Sequence, residues 1–157
     1  MQIKFKKRVR LKDFNYKGYY GYFITLCTFD KKSVFNNKIL VESLVNALRE
    51  KSKFYNFKVW GYCFMPDHLH LLIEGSKEDS DMKQFISAYK QHTGFYYKKR
   101  TGKPLWQINY YEHVLTKEET IKKVLDYIFE NPVRKRIVKD YREYEYLGSF
   151  EFDVNQY

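Results

Sequence analysis

Cysteine is nearly absent from this sequence. Cys27 and Cys63 stand alone in apolar runs with no CxxC spacing, which excludes a disulfide framework and predicts two buried free thiols in a reducing compartment. Long hydrophobic runs are missing too: no stretch approaches the ~18 residues of a spanning helix. The first residues carry charge but no apolar segment of the kind an export signal needs. The expectation is a soluble, unexported, cytoplasmic protein with no membrane partner. Gly/Ser linkers, internal repeats and low-complexity stretches are absent as well, so residues 1–157 read as one domain with ragged ends. At this length folding buries roughly 68–70% of the unfolded chain's surface, and the core needs neither disulfides nor a structural metal.

Acidic charge is in short supply. Nineteen Asp and Glu face 29 Lys and Arg, a formal net charge of +10, and aromatic residues make up 20% of the chain, with 16 tyrosines. Basic surface attracts phosphate and aromatic rings stack on unpaired bases, although a solvated surface around a Tyr-rich core has the same composition. Clustering favours the first reading. Lys4, Lys6, Lys7, Arg8, Arg10 and Lys12 precede the first acidic residue, while Lys98, Lys99, Arg100 and Arg134, Lys135, Arg136 form two further runs. Acidic residues collect between Glu143 and Asp153.

Periodicity predicts alternating elements. Tyr20 to Phe29 is apolar on both parities, as a central strand covered on both faces would be. Asn37 to about Lys53 has helical spacing through Leu40, Leu44, Ala47 and Leu48, with Asn36 or Asn37 as cap. Phe57 to Phe64 and His68 to Glu74 read as a hairpin joined at Met65-Pro-Asp67. A second helix, capped by Asp79 or Ser80, carries Met82, Phe85, Ile86, Tyr89, Thr93 and Tyr96 and ends near Gly102. Thr101-Gly-Lys-Pro104 is a turn, since the features of a phosphate loop are missing around it. After a short strand at Tyr110 to Leu115, Thr116 and Glu119 form a capping box for a third helix with Ile121, Val124, Leu125 and Ile128 buried, ended by Pro132. The order is β-α-β-β-α-β plus a further helix: an α+β, ferredoxin-like (RRM-like) antiparallel sheet with an additional C-terminal helix. In that topology the first and third strands are central and one sheet face is free for a ligand or for the extra helix.

Chemistry concentrates on the third strand. His68 and His70 flank Leu69, and the two-residue period of a strand puts both imidazoles on one face with Leu69, Leu71 and Ile73 on the other. Two imidazoles so placed can share one metal ion, although His-x-His alone is as compatible with packed histidines. Tyr127 and Asn131, four apart, share a helical face rotated away from the buried stripe. A packed ring and a helix stop before Pro132 are the plainer readings of those two.

Three ordered blocks add specificity. Gly61-Tyr-Cys-Phe-Met-Pro-Asp-His-Leu-His-Leu-Leu-Ile-Glu74, then Leu105-Trp-Gln-x-x-Tyr-Tyr-Glu-His113, then Asp126-Tyr-Ile-Phe-Glu-Asn-Pro-Val133 resemble the single-tyrosine HUH transposases of the IS200-like superfamily. The Tyr-Ile-x-x-Asn-Pro-Val ending is most similar to the REP-associated tyrosine transposase branch. The resemblance runs from about residue 18 to 147. One departure lies in the tail, where relatives often have Trp-Ser-Ser and this chain has Tyr146-Leu-Gly-Ser149.

The resemblance implies that His68, His70 and Asn131 bind a divalent ion, Mg²⁺ or Mn²⁺, and that Tyr127 is the nucleophile. A phenol with a pKa near 10 attacks a phosphodiester at neutral pH only when a cation polarises the phosphate. Imidazole ligands are unusual for Mg²⁺, which prefers oxygen and retains water, so a mixed His/His/Asn site suits Mn²⁺ equally well, and zinc is not excluded by ligand type. The implied substrate is single-stranded DNA folded into hairpins, cleaved and rejoined through a 5′-phosphotyrosine link without ATP, in the cytoplasm of a bacterial or archaeal cell and associated with the nucleoid. The basic clusters are then the expected backbone contacts lining the path to the site. Glu74, on the same strand parity as the histidines, is a candidate outer-shell group. His113 matches the family pattern with no role of its own, and Asp67 reads as a turn residue. The resemblance allows a monomer or a homodimer that exchanges the tyrosine helix. A non-catalytic single-strand binding sheet of RRM type, a rolling-circle-initiator-like nickase and an inactive hairpin-binding descendant are the competing classes.

Overall fold

The computed structural model describes residues 14–157, so the basic segment from Lys4 to Lys12 lies outside the described residues. Strand β1 (Gly21–Cys27) is followed by helix α1 (Lys38–Phe54), β2 (Phe57–Met65), β3 (His68–Gly75), α2 (Met82–Thr101), β4 (Tyr111–Val114), α3 (Ile121–Phe129), the short α4 (Asn131–Arg134) and β5 (Leu147–Gly148). The strands form one antiparallel sheet in the order β4-β1-β3-β2-β5. The α+β, ferredoxin-like arrangement expected from the element order is the observed one, with β1 and β3 inside and β5 an unanticipated edge strand beside β2. Two residues of β5 pair with Tyr62 and Cys63, too short a run to leave a periodic signal in sequence.

Both faces of the sheet are covered, by different parts of the chain. Leu69, Leu71 and Ile73 of β3 pack with Leu44 and Leu48 of α1 and with Phe85, Ile86 and Tyr89 of α2. Each such side chain contributes about 1.5–3 kcal/mol on burial. On the opposite face Phe23, Cys63, Met65 and Leu72 meet Val124, Leu125, Ile128 and Phe129 of α3. Gly61 lets that helix settle: a Cβ there would stand 2.5 Å from the Leu125 side chain and 3.3 Å from the Phe129 ring. The tail closes over the outer side of α3, where the Tyr157 hydroxyl donates to Asp126 Oδ1 at 2.5 Å and the Tyr141 ring stacks on Phe129.

Several boundaries depart from the sequence reading for local reasons. Asn37 caps α1 as expected, its side chain accepting the Leu40 N–H. Asp81, rather than Asp79 or Ser80, caps α2, because the Ser80 hydroxyl is engaged with the Asn56 carbonyl. The Thr116–Glu119 pair forms its side-chain bonds but closes a turn; Thr120 accepts the Lys123 N–H and opens α3. Pro132 does not halt the chain in an extended segment: α3 stops at Phe129 and the proline sits in the first turn of α4, where its missing N–H costs nothing. Cys63 is buried, but Cys27 is half-exposed at the end of β1, against the expectation of two buried thiols. Among the described residues no helix is long and apolar enough to cross a membrane.

Candidate active site

The register across the sheet assembles a polar row on the α3 face. Thr25 of β1 lies opposite His70, and Cys27 opposite His68, so these residues share one face with their partners. Both imidazoles project there as the strand period requires. Their Nε2 atoms face each other 3.1 Å apart. Each Nδ1 is held from the other side: His68 Nδ1 lies 2.7 Å from Asp67 Oδ1, and His70 Nδ1 lies 2.8 Å from Thr25 Oγ1.

A carboxylate accepts only, so the Asp67 contact makes His68 Nδ1 the protonated nitrogen and leaves its Nε2 lone pair bare. Burial first, then the neighbouring His68 and Arg134, holds the His70 imidazole well below its ordinary pKa, so it is neutral at physiological pH. Where Thr25 accepts from His70 Nδ1, two bare lone pairs meet at 3.1 Å, a repulsive arrangement unless a cation lies between them. Two nitrogens each about 2.1 Å from one ion and at right angles to it are about 3.0 Å apart. The pair therefore fits a shared divalent ion. Among the described residues no group of three or more His, Cys, Asp or Glu side chains could hold a metal ion.

Tyr127 comes to the pair from α3. Its ring centroid lies 6.4 Å from that of His70 in an edge-to-face arrangement, and the Phe23 ring of β1 contacts both, 5.2 Å from His70 and 6.0 Å from Tyr127. The Arg134 guanidinium covers the tyrosine ring at 4.3 Å and donates to the Tyr127 carbonyl at 2.7 Å. Asn131, one turn beyond Tyr127, is buried at the first position of α4.

The remaining expectations divide. Lys135 lines a cleft beside His68, and Arg136 lines a separate hollow with Val133 and Glu143. Lys98, Lys99 and Arg100 form the last turn of α2, in the helical layer on the other face of the sheet, where cations complement the helix dipole and Arg100 stacks on Tyr96 at 3.6 Å. That cluster does not border the histidine face. Glu74 shares the face but stands four residues from His70, about 13 Å along the strand, and pairs across to Gly21 and Lys58. Asp67 takes the place proposed for it. His113 receives a role: its Nε2 lies 2.8 and 2.7 Å from the two oxygens of Glu119, tying β4 to the turn before α3. Thr25 and Arg134's hold on Tyr127 were not legible, since both depend on register and on how a helix docks.

The family model described as "Transposase IS200 like" matches residues 17–131. A Haemophilus influenzae protein provisionally named REP-associated tyrosine transposase is 26% identical over 144 residues, covering 85% of this chain and 81% of that protein. An uncharacterised protein of the same organism is 24% identical over 162 residues, covering 83% and 90%. In three dimensions the chain resembles a REP-associated tyrosine transposase solved bound to a REP hairpin, with TM-score 0.71, 19% identity and coverage of 89% and 82%. A structure from Deinococcus radiodurans R1, provisionally named a transposase, gives TM-score 0.53 at 19% identity with coverage of 77% and 95%.

Proposed function

The chain belongs to the IS200-like transposase family, and from that membership we propose that it is a metal-dependent single-stranded DNA endonuclease and strand transferase acting beside hairpins. The observation that carries this reading is the facing Nε2 pair of His68 and His70 with Tyr127 packed against it. His68 and His70 would hold Mg²⁺ or Mn²⁺, with the amide oxygen of Asn131 as the third protein ligand. When bound, the ion supplies Lewis-acid polarisation of the scissile phosphate and a template for its orientation.

The chain's own groups do the rest. Asp67 and Thr25 fix the ring orientations, which keeps both Nε2 atoms directed at one point. Arg134 stabilises negative charge on the Tyr127 oxygen as the phenol loses its proton, and offers the phosphate a cation on the side of the attacking group. The phenol proton passes to solvent water, the Tyr127 oxygen attacks phosphorus, the bond to the 3′ oxygen breaks, and that oxygen takes a proton back from solvent and leaves as a 3′-hydroxyl. The product is a 5′-phosphotyrosine link that conserves the phosphoester, so a second 3′-hydroxyl reverses the exchange. A structural relative was solved bound to a REP hairpin, which supports hairpin-bearing DNA as the substrate class.

The RRM-type alternative loses its platform. Phe23 is 4% exposed beneath His70 and Tyr127, and α3 covers the sheet face on which bases would stack. To test the catalytic reading, the protein and Tyr127→Phe are incubated with end-labelled hairpin-bearing single strands and Mn²⁺. A denaturant-resistant DNA adduct is expected with Tyr127 only and is lost in EDTA. An adduct on the Phe variant would reject the nucleophile.

A further inference from the structure

Beside His68 lies an open cleft of about 430 Å³ lined by Cys27, Lys31, Ser33, Met65, Pro66, Asp67, His68, Lys135 and Ile137. Its volume falls within the roughly 300–1,000 Å³ that small ligands occupy. The chemistry of its walls is split. Met65, Pro66, Ile137 and the Cys27 thiol give an apolar floor, and the exposed Lys31 and Lys135 supply cations from two different loops. Asp67 is the acidic group of the lining, and its carboxylate is already committed to His68. Lys31 is near enough to Cys27 to oppose the rise that burial imposes on its thiol pKa.

Both walls are built with unusual backbone. Lys31 has φ 51 and its neighbour Asp30 φ 55, and Arg136, between Lys135 and Ile137, has φ 58. A non-glycine residue in the left-handed region costs about 1–3 kcal/mol and persists where surrounding contacts impose it. Here the Thr28 hydroxyl donates to the Lys32 and Asp67 carbonyls, Phe29 N–H bonds Leu105, and Ile137 N–H bonds Pro132. Strained segments fixed on both sides of one cleft hold two lysines at its rim.

We propose that this cleft is a nucleotide subsite: it takes the base of the unpaired nucleotide next to the scissile phosphate on its apolar floor, with that nucleotide's outer phosphate between Lys31 and Lys135. The proposal rests on the single-strand reading above and adds the binding position that feeds the histidines. It assigns roles to Cys27, Lys31 and Lys135 in binding only.

Cys27 provides the test. It is half-exposed in the cleft, whereas Cys63 is fully buried with a thiol pKa pushed far up by burial, so a small maleimide at pH 8 reports Cys27 alone. Labelling of the Tyr127→Phe protein is followed with and without a saturating randomised single-stranded DNA octamer, in parallel with an octamer of abasic residues. The randomised octamer should slow labelling at least fivefold and the abasic one less than twofold. Lys31→Ala and Lys135→Ala should each weaken octamer binding about tenfold and lower its salt slope by about 0.7, while the exposed neighbours Lys32→Ala and Lys139→Ala change it little. Unchanged labelling under saturating octamer overturns the subsite, and equal protection by both octamers overturns the base on the floor. If wild type forms its adduct without Cys27 protection, the catalytic reading stands and the subsite falls. Protection without any adduct has the opposite meaning.

Discussion

One strand of this protein serves two opposite purposes on its two faces. Leu69, Leu71 and Ile73 of β3 enter a dry core under α1 and α2, and His68 and His70, one residue out of phase, open onto α3. The helical face has two long helices, of 17 and 20 residues, and apolar contacts. The other has the nine-residue α3, pinned by a close glycine, by the tail and by one guanidinium. Both faces bury apolar side chains, Leu72 under α3 among them, but the candidate catalytic groups lie on the histidine parity alone, so replacing a histidine should change activity more than stability and replacing a leucine of the opposite parity the reverse. His70→Ala should cut adduct formation roughly a thousandfold, the several kcal/mol lost with a Lewis acid, with little change in thermal unfolding. Leu71→Ala should lower stability by about 2–5 kcal/mol while surviving folded protein keeps its rate of adduct formation. Denaturant titration beside the adduct assay reads both; a His70→Ala protein as destabilised as Leu71→Ala would dissolve the distinction.

Arg134 sharpens the comparison within the active face. Its guanidinium lies over the Tyr127 ring while binding that residue's carbonyl, a planar fork doing two things at once. Arg134→Ala is expected to reduce the cleavage rate about a hundredfold, as loss of one preorganised donor does elsewhere. Arg134→Lys should recover only part of it, because an ammonium does not reproduce the stacked fork. Equal rates for Lys and wild type in single-turnover cleavage would reduce Arg134 to a charge.

Gly61 tests whether the position of α3 is set by packing. A methyl at Gly61 meets Leu125 and Phe129, so Gly61→Ala should push the helix outward, cost about 1–3 kcal/mol and slow adduct formation with Tyr127 untouched. The second substitution Leu125→Ala, which opens the space, should restore part of the rate. Without that rescue, the glycine matters for the bulge between Val59 and Gly61 rather than for the helix.

How much of this was legible follows from the range of each interaction. Strand parity and helical spacing are local, so the placement of His68 and His70 on one face, and of Leu69, Leu71 and Ile73 on the other, could be read directly. The resemblance supplied the three-block pattern that selected Tyr127 among 16 tyrosines. What escaped was register and docking. Thr25 meets His70 because β1 pairs antiparallel with β3 in one particular alignment, and nothing in either segment alone specifies it. From sequence Asp67 reads as a turn residue, yet a carboxylate preceding a histidine can both turn the chain and hold Nδ1. The misplaced start of α3 has the same origin: Thr116-x-x-Glu119 forms real capping bonds, and Thr120 offers an equally good cap four residues later.

The smallest expected effect concerns that turn. Burial would raise the Glu119 pKa, but the Thr116 N–H and hydroxyl and then His113 outweigh it and hold the carboxyl below its ordinary value. A carboxylate favoured by folding adds stability that is fully present above the unfolded value of about 4.3 and is lost as pH falls through the lower folded value. The pair is partly exposed, so its contribution is about 0.2–1 kcal/mol. Glu119→Gln should therefore lower the melting temperature slightly at pH 7 and flatten its fall between pH 5 and pH 3, so that the two proteins converge at low pH. Because His113 reaches Glu119 from β4, the same variant should loosen the link between the sheet and α3, a change visible as faster amide exchange in residues 116–121 with the α1 and α2 amides unaffected. Faster exchange in both layers would show that the two faces are coupled through the sheet after all, and that the turn is part of one cooperative unit rather than a hinge for the tyrosine helix.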